Sequence, residues 1–385
     1  LEKALLPEGV SRITVPVIAL TFYAVASGYL MSLIPLMLGQ FNIPTHYASW
    51  LASAFYAGLL FGAVIVERII HQVGHRRAFI GCLVAFALTV VVLPVFANGF
   101  VWLAARFAAG IAVAGIFVIV ESWLMSGDEE SRMKRLSLYM LSLYGGSAFG
   151  QLGIGVFGIN GVMPFVVIVS PIVAAVLVLK FVACTQPNSQ ESAALSFKQI
   201  SRLNHAAIIG CIVSGLTLGA IYGLMPVELA NRKIEHTDIG SLMALVILGG
   251  MLVQPLVNKL NKFMSRVMLM ALLCMLGMFA IGLTFVSSSV ALLSGALFLL
   301  GMATFGIYPV AINLGCEKLD ERFIVSATQV MLFSYSIGSV AGPVVADRFL
   351  FQVHGLLGYL FAALLATCIY MLVAASKTKQ QMVAG

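Results

Sequence analysis

The sequence predicts an all-α membrane protein of twelve transmembrane helices, arranged as two pseudo-repeated six-helix bundles. Three observations carry that prediction. Of 385 residues, 61% are apolar and only 10% are charged, where a soluble chain carries about a quarter charged. The apolar residues come in repeated blocks of about twenty, the length that crosses a bilayer. The basic residues are sorted by loop, which is how membrane orientation is written into a sequence. The formal charge of +7 is therefore a topological signal, and no nucleic-acid partner is expected.

Taken in order, the first span is expected at about 13–38 and the second at about 47–69, ending before a basic loop that opens the third at about 77–96. The third closes at the charge-free turn Ala97–Asn98–Gly99, and the fourth follows at about 101–124. The fifth, about 134–158, is crowded with Gly145, Gly146, Gly150, Gly153, Gly155 and Gly158. Small residues four apart let membrane helices approach closely, and Gly58 with Gly62 offer the same in the second span. The turn Gly158–Ile159–Asn160–Gly161 precedes the sixth span, about 162–182. The stretch Thr185 to Asn204 contains TQPNSQES and reads as a linker. The chain then divides into an N-terminal bundle (1–183), a linker (184–203) and a C-terminal bundle (204–385).

The second-half spans are expected at about 204–229, 238–259, 266–286, 289–316, 323–346 and 355–376. Their text echoes the first half. GYLMSLIPLML (28–38) parallels GAIYGLMPVEL (219–229), IPTHYASW (43–50) parallels IEHTDIGS (234–241), and SLYGGSAFGQ (142–151) parallels SYSIGSVAGP (334–343). The shared offset of about 191 residues points to a duplicated bundle. Six scattered cysteines with no CxxC pair read as small reduced hydrophobes, with neither disulfide nor metal site.

The fourth span carries the most informative chemistry. Trp102 to Trp123 reads WLAARFAAGIAVAGIFVIVESW, with Arg106 near one end and Glu121 near the other. Twenty-two helical residues rise about 33 Å. An ionisable group at that depth must face protein, water or a partner. Glu121 could instead reach the headgroups and pair with a basic loop. A buried guanidinium such as Arg106 is a two-pronged site for a carboxylate, sulfonate or phosphate, or a staple to carbonyls and tyrosines of another helix.

With twelve spans, both termini fall on one side. That side holds eighteen of the 22 basic residues, among them Arg76, Arg77, Lys259, Lys262 and Arg266, against Arg232, Lys233 and Arg348 on the other. Both termini and the linker are expected in the cytoplasm.

With twelve spans, two halves and a central cytoplasmic linker, the chain resembles the major facilitator superfamily over essentially its whole length. It is similar to a little-characterised group of bacterial inner-membrane members through Val118–Ile119–Val120–Glu121–Ser122 and Ile307–Tyr308–Pro309–Val310–Ala311. The family's signature loop between spans two and three matches His71–Gln72–Val73–Gly74–His75–Arg76–Arg77, with His71 where the family has an acid. The second copy is Asn261–Lys262–Phe263–Met264–Ser265–Arg266. The resemblance implies that these loops latch a half-bundle, with Glu121 facing Arg76 and Arg77, and Glu317 facing Lys262 and Arg266. His71 would make that latch sensitive to protonation near neutral pH, or is simply an interfacial histidine.

The resemblance also implies a central cavity lined mainly by spans one, four, seven and ten. The substrate-binding candidates are Arg106, Tyr23, Ser27, Tyr222, Tyr308 and Asn313, with Gln329 and Tyr335 from span eleven. Ser214, Thr217, Thr304, Ser32, Tyr29, Tyr144, Gln151 and Ser339 are further polar groups there. Gly150 is followed by Gln151 where the family's drug–proton antiporters have proline. The expected function is secondary transport of a small polar or amphipathic organic solute, anions included, by alternating access and proton-coupled uptake. A proton-coupled exporter is the alternative, and a receptor or scaffold on a transporter fold is the reading of another class. No enzyme activity and no cofactor are expected; the expected partners are a small-molecule substrate, protons and the lipid bilayer of a bacterial inner membrane, with the protein monomeric.

Overall fold

The computed structural model describes residues 8–125, 135, 137–182, 204–286, 289–317, 321–350, 352 and 355–384. The expected linker, 184–203, lies outside them. The described residues form twelve helices. The first six are α1 (Glu8–Met37), α2 (Tyr47–Val73), α3 (His75–Val95), α4 (Gly99–Met125), α5 (137–157) and α6 (Met163–Phe181). The second six are α7 (His205–Asn231), α8 (His236–Leu260), α9 (Arg266–Val286), α10 (Val290–Cys316), α11 (Glu321–Asp347) and α12 (Gly355–Ala384). Eleven are long and apolar enough to cross a membrane among the described residues. The exception is α5, which is broken into a π-helical turn, Leu141–Gly145, and two short α-helical pieces, Gly146–Gln151 and Gly153–Phe157. Glycine weakens helix interiors, and α5 carries five.

Helix ends are set by local chemistry. Asn98 Oδ1 accepts from the Phe100 amide at 2.9 Å ahead of α4, Asn204 from Ala206 at 2.9 Å ahead of α7, and Ser289 Oγ from Leu292 at 3.4 Å ahead of α10. Each satisfies an amide that a helix start leaves orphaned. Trp102 is fully buried, and its indole N–H donates to the Leu93 and Phe96 carbonyls, 3.0 Å each, tying the end of α3 to the start of α4. A buried Trp needs such a partner.

Contacts between Cα atoms divide the chain into two units, Leu1–Tyr47 with Ala54–Gln190, and Ala48–Ser53 with Glu191–Gly385. In the first, α1 packs on α4, α5 and α6, while α3 packs on α4 and α6. In the second, α7 packs on α10, α11 and α12, while α9 packs on α10 and α12. The pairings repeat helix for helix, and so do the glycines that make them possible. A Cβ at Gly58 of α2 would strike the Phe107 carbonyl, and one at Gly110 of α4 the Phe55 carbonyl. Their counterparts at Gly249 and Gly301 would strike the Phe298 and Val246 carbonyls between α8 and α10. Gly146 and Gly150 of α5 lie against α1, as Gly338 and Gly342 of α11 lie against α7. Within these pairs the positions differ by 191 or 192 (58 and 249, 110 and 301, 146 and 338, 150 and 342), the offset seen in the sequence.

The second unit also holds a charged network that the sequence did not reveal. Glu228 of α7 is buried, accepting from Arg232 Nε at 3.0 Å and from the Leu356 amide, in the first turn of α12, at 3.2 Å. Arg232 also donates to the Thr284 carbonyl of α9 at 3.3 Å. One carboxylate thus caps α12 and neutralises Arg232, joining three helices. Gly355, at φ +52, is where the chain turns in, and a Cβ there would meet the Glu228 carboxylate.

This packing sets the cost of four substitutions. Gly110→Ala should lower the melting temperature of the detergent-purified protein, at a cost of about 1–3 kcal/mol for overpacking. Gly81→Ala, where a Cβ meets nothing within 4 Å, should be neutral or stabilise by about 0.5–1 kcal/mol. Glu228→Ala should cost about 3 kcal/mol by stranding Arg232 and the α12 amide. Glu228→Gln, which can still accept from Leu356, should cost less, and thermal melts of the two variants give the order.

Candidate functional site

In the first unit, α4 presents Arg106, Phe117 and Glu121 on one side, eleven and fifteen residues apart, close to whole numbers of turns. Arg106 and Glu121 are therefore separated by about 22 Å along the helix axis. The close crossing at Gly58 and Gly110 brings α2 against this region, and the Arg106 guanidinium lies over the Phe55 ring, 4.3 Å from its centroid. Arg106 Nε is buried with no hydrogen-bond partner. Tyr56 of α2 and Tyr23 of α1 are within electrostatic reach of the same charge.

Tyr23 is fully enclosed, 2% exposed. Its ring meets Phe86 and Phe117 edge-on at 5.3 and 6.0 Å, and its hydroxyl is hydrogen-bonded to Ser27 one turn along α1. Tyr23 therefore stands between the arginine and the C-terminal part of α4. At the C-terminal end, Tyr139 of α5 donates to Glu121 Oε1 at 3.0 Å, while Glu121 keeps an exposed edge. Tyr139 is buried and within electrostatic reach of both Tyr144 and Tyr23.

This arrangement corrects one expectation. Glu121 takes Tyr139 as its partner, not Arg76 or Arg77. Arg76 donates instead to the Leu179 and Lys180 carbonyls at 2.6 and 2.8 Å. Those are unpaired acceptors at the negative end of α6, where a cation is favoured. Arg77 is exposed on α3. His71 lies in α2, and its side chain is outside those described. In the second unit Arg266 approaches Glu317 at 2.6 Å, an ion pair by distance with side chains 29% and 48% exposed, and Lys262 is exposed nearby in sequence. A pair so open to solvent contributes little stability.

The second unit brings Tyr308 of α10 and Tyr335 of α11 together, ring centroids 4.7 Å apart, with Tyr335 hydrogen-bonded to Ser339. Tyr222 lies edge-on to Phe305 at 5.8 Å. Asn313 and Gln329 are exposed. The structure withdraws several of the further polar candidates. Thr217 bonds to the Val213 carbonyl at 2.9 Å and Thr304 to the Leu300 carbonyl at 2.9 Å, each within its own helix and fully buried. Ser214 Oγ reaches the Thr304 carbonyl at 3.5 Å, and Tyr29 donates to the Gly158 carbonyl at 2.5 Å. These hydroxyls are used up by the backbone, as membrane serines and threonines commonly are.

Sequence reasoning missed Phe55, Tyr56 and Tyr139. Phe55 and Tyr56 sit three and two positions before Gly58, and the glycine spacing already noted in α2 marks the face they flank. Tyr139 lies on α5 and Glu121 on α4, so no spacing within one helix connects them.

With this geometry in hand, comparisons with known proteins agree on the family. The family model "Major Facilitator Superfamily" matches residues 17–343. An uncharacterised MFS-type transporter from Enterobacter sp. (strain 638) is 33% identical over 338 residues, covering 84% of this chain and 85% of the relative. The uncharacterised MFS-type transporter YcaD of Salmonella enteritidis PT4 is 33% identical over 334 residues, with the same coverage. Among solved structures, a mutant of the nucleoside transporter NupG superposes with a TM-score of 0.80 at 10% identity, covering 94% of this chain and 99% of that one, which shows a shared fold. The protein is a multi-pass membrane transporter and belongs to the major facilitator superfamily.

Proposed function

We propose that this transporter takes up a small anionic organic solute across a bacterial inner membrane by alternating access, coupled to protons, as a monomer with both termini in the cytoplasm. The observation that supports the anionic reading is Arg106. Its Nε is buried and unpartnered, no carboxylate among the described residues pairs with it, and its face rests on Phe55. A guanidinium stacked on a ring keeps its edge free, and that edge is the part that binds a carboxylate, sulfonate or phosphate through two parallel hydrogen bonds. Stacking offsets some of the burial cost, by about 2 kcal/mol when desolvated. Tyr23 and Tyr56 add hydroxyls beside the charge, so the ligand that suits the site is an anion with an organic body.

The test begins with a thermal-shift screen of organic carboxylates, sulfonates and phosphates on purified protein, followed by titration calorimetry on the hits. Arg106→Lys keeps charge and loses the two-pronged geometry, so binding should weaken partially. Arg106→Gln should lose about 2–5 kcal/mol of binding while remaining folded and inserted. Wild-type affinity in Arg106→Gln would remove the arginine from the site, and early melting of both variants would make it a helix staple. The proposed orientation has its own check: an impermeant thiol reagent should label Ser189→Cys only from the cytoplasmic side and Arg232→Cys only from outside.

A further inference from the structure

The π-helical turn in α5 and the tyrosines around it are the part of the first unit that solute recognition does not use. Leu141–Gly145 forms one π turn; Tyr139 precedes it by two residues and Tyr144 lies within it, five residues on. In a regular α-helix five residues turn the chain about 140° past a full revolution, placing the two side chains on different faces. The π turn between them underwinds the helix, which draws the two side chains nearer to one face. That places Tyr144 within electrostatic reach of Tyr139, whose hydroxyl is bonded to Glu121. π turns inside α-helices gather at functional sites, and this one joins two hydroxyls beside a membrane carboxylate.

We propose that Glu121 and Tyr139 form the proton-binding site of this transporter, and that Tyr23 carries the change in its charge to Arg106. The inference rests on the proton-coupled reading above and assigns it an address. Glu121 has an exposed edge on one side and a buried hydroxyl on the other. A hydronium ion can deliver its proton to the exposed carboxylate oxygen and leave as water. The resulting acid accepts more weakly from Tyr139, so that hydroxyl is free to be shared with Tyr144 or Tyr23. Tyr23 touches Phe117 with its ring and lies in the field of Arg106. Charge lost at the inner end of α4 is thereby felt near the guanidinium about 22 Å away along the same helix, through one intervening side chain from α1 and one from α5.

Among the described residues, the other titratable and charged groups on the elements about Glu121 have contacts of their own. Arg135, ahead of α5, donates to the Leu124 carbonyl at 3.4 Å. His75 of α3 lies against Trp123, ring centroids 5.9 Å apart. Arg76 is engaged with α6, and the side chain of His71 is outside those described. The group hydrogen-bonded to the carboxylate is Tyr139.

The test needs protons and no organic solute. Full-length protein in proteoliposomes is stepped between acidic and alkaline buffer, and infrared difference spectra follow the carboxylic-acid C=O band. Glu121→Gln should remove a titrating band. Tyr139→Phe, which deletes one oxygen and keeps the packing, should retain the band and shift it to higher frequency as its hydrogen bond is lost. Arg106→Gln should retain the band and displace its pH midpoint, reporting coupling along α4. A band unchanged by Glu121→Gln, or a frequency unchanged by Tyr139→Phe, would overturn the site; a midpoint unmoved by Arg106→Gln would overturn the coupling. Because solute binding is measured separately by calorimetry, the proton site can fail while the anion site stands, and the reverse.

Discussion

The close approach of glycine to carbonyl between crossing helices is the interaction on which the rest of this structure depends. In lipid there is no hydrophobic force to drive one apolar helix onto another, so association relies on packing. Gly58 and Gly110 let α2 and α4 touch backbone to backbone, each glycine against a carbonyl of the other helix. Arg106 lies one turn from Gly110 and Phe55 three residues from Gly58, so the crossing also fixes the guanidinium over the ring. The same residues hold the bundle together and build the charged site. A substitution at Gly110 therefore acts on the position of Arg106 as well as on stability.

The cost of polar groups in hydrocarbon explains which candidates survived. Thr217 and Thr304 are fully buried and bond within their own helices; Ser214 and Tyr29 bond to a backbone carbonyl of another segment. Glu228 meets its need with two donors from two helices and so becomes a structural rivet. Among the described groups left open in the first unit are Arg106 Nε, Ser32 Oγ and the Gln151 side-chain amide, all buried without a hydrogen-bond partner, and Glu121 with its exposed edge. Function in this unit falls to the groups that the backbone leaves unsatisfied.

Much of the architecture was legible because the membrane forces it. Helix length, loop charge and small-residue spacing are each dictated by the bilayer, and the twelve expected spans lie within a few residues of the observed helices. The partners of polar side chains were less legible, for a physical reason. Glu121 and Arg76 share a loop-side location, which suggests an ion pair, yet Arg76 is closer to the open carbonyls of α6 than any spacing argument could know. Tyr139 reaches Glu121 from a helix whose register is reset by a π turn. A single inserted position rotates every residue on one side of it by about 100°, and a periodicity analysis that assumes an unbroken helix misplaces them all.

The repeat separates what was duplicated from what was not. The glycines at 58, 110, 146 and 150 recur at 249, 301, 338 and 342, and the helix pairings recur with them. An aromatic position recurs as well: Phe117 of the first unit stands 191 residues before Tyr308 of the second. The charge of Arg106 does not recur: the position matching it is Leu297, and that matching Tyr23 is Ser214. Backbone contacts must be kept in both halves because each bundle depends on them. A charge in the membrane is costly wherever it sits, so it persists only where it is used. What this physics leaves is a common frame carrying different charges: Arg106 and Glu121 along α4 in the first unit, and Glu228 with Arg232 joining α7, α9 and α12 in the second.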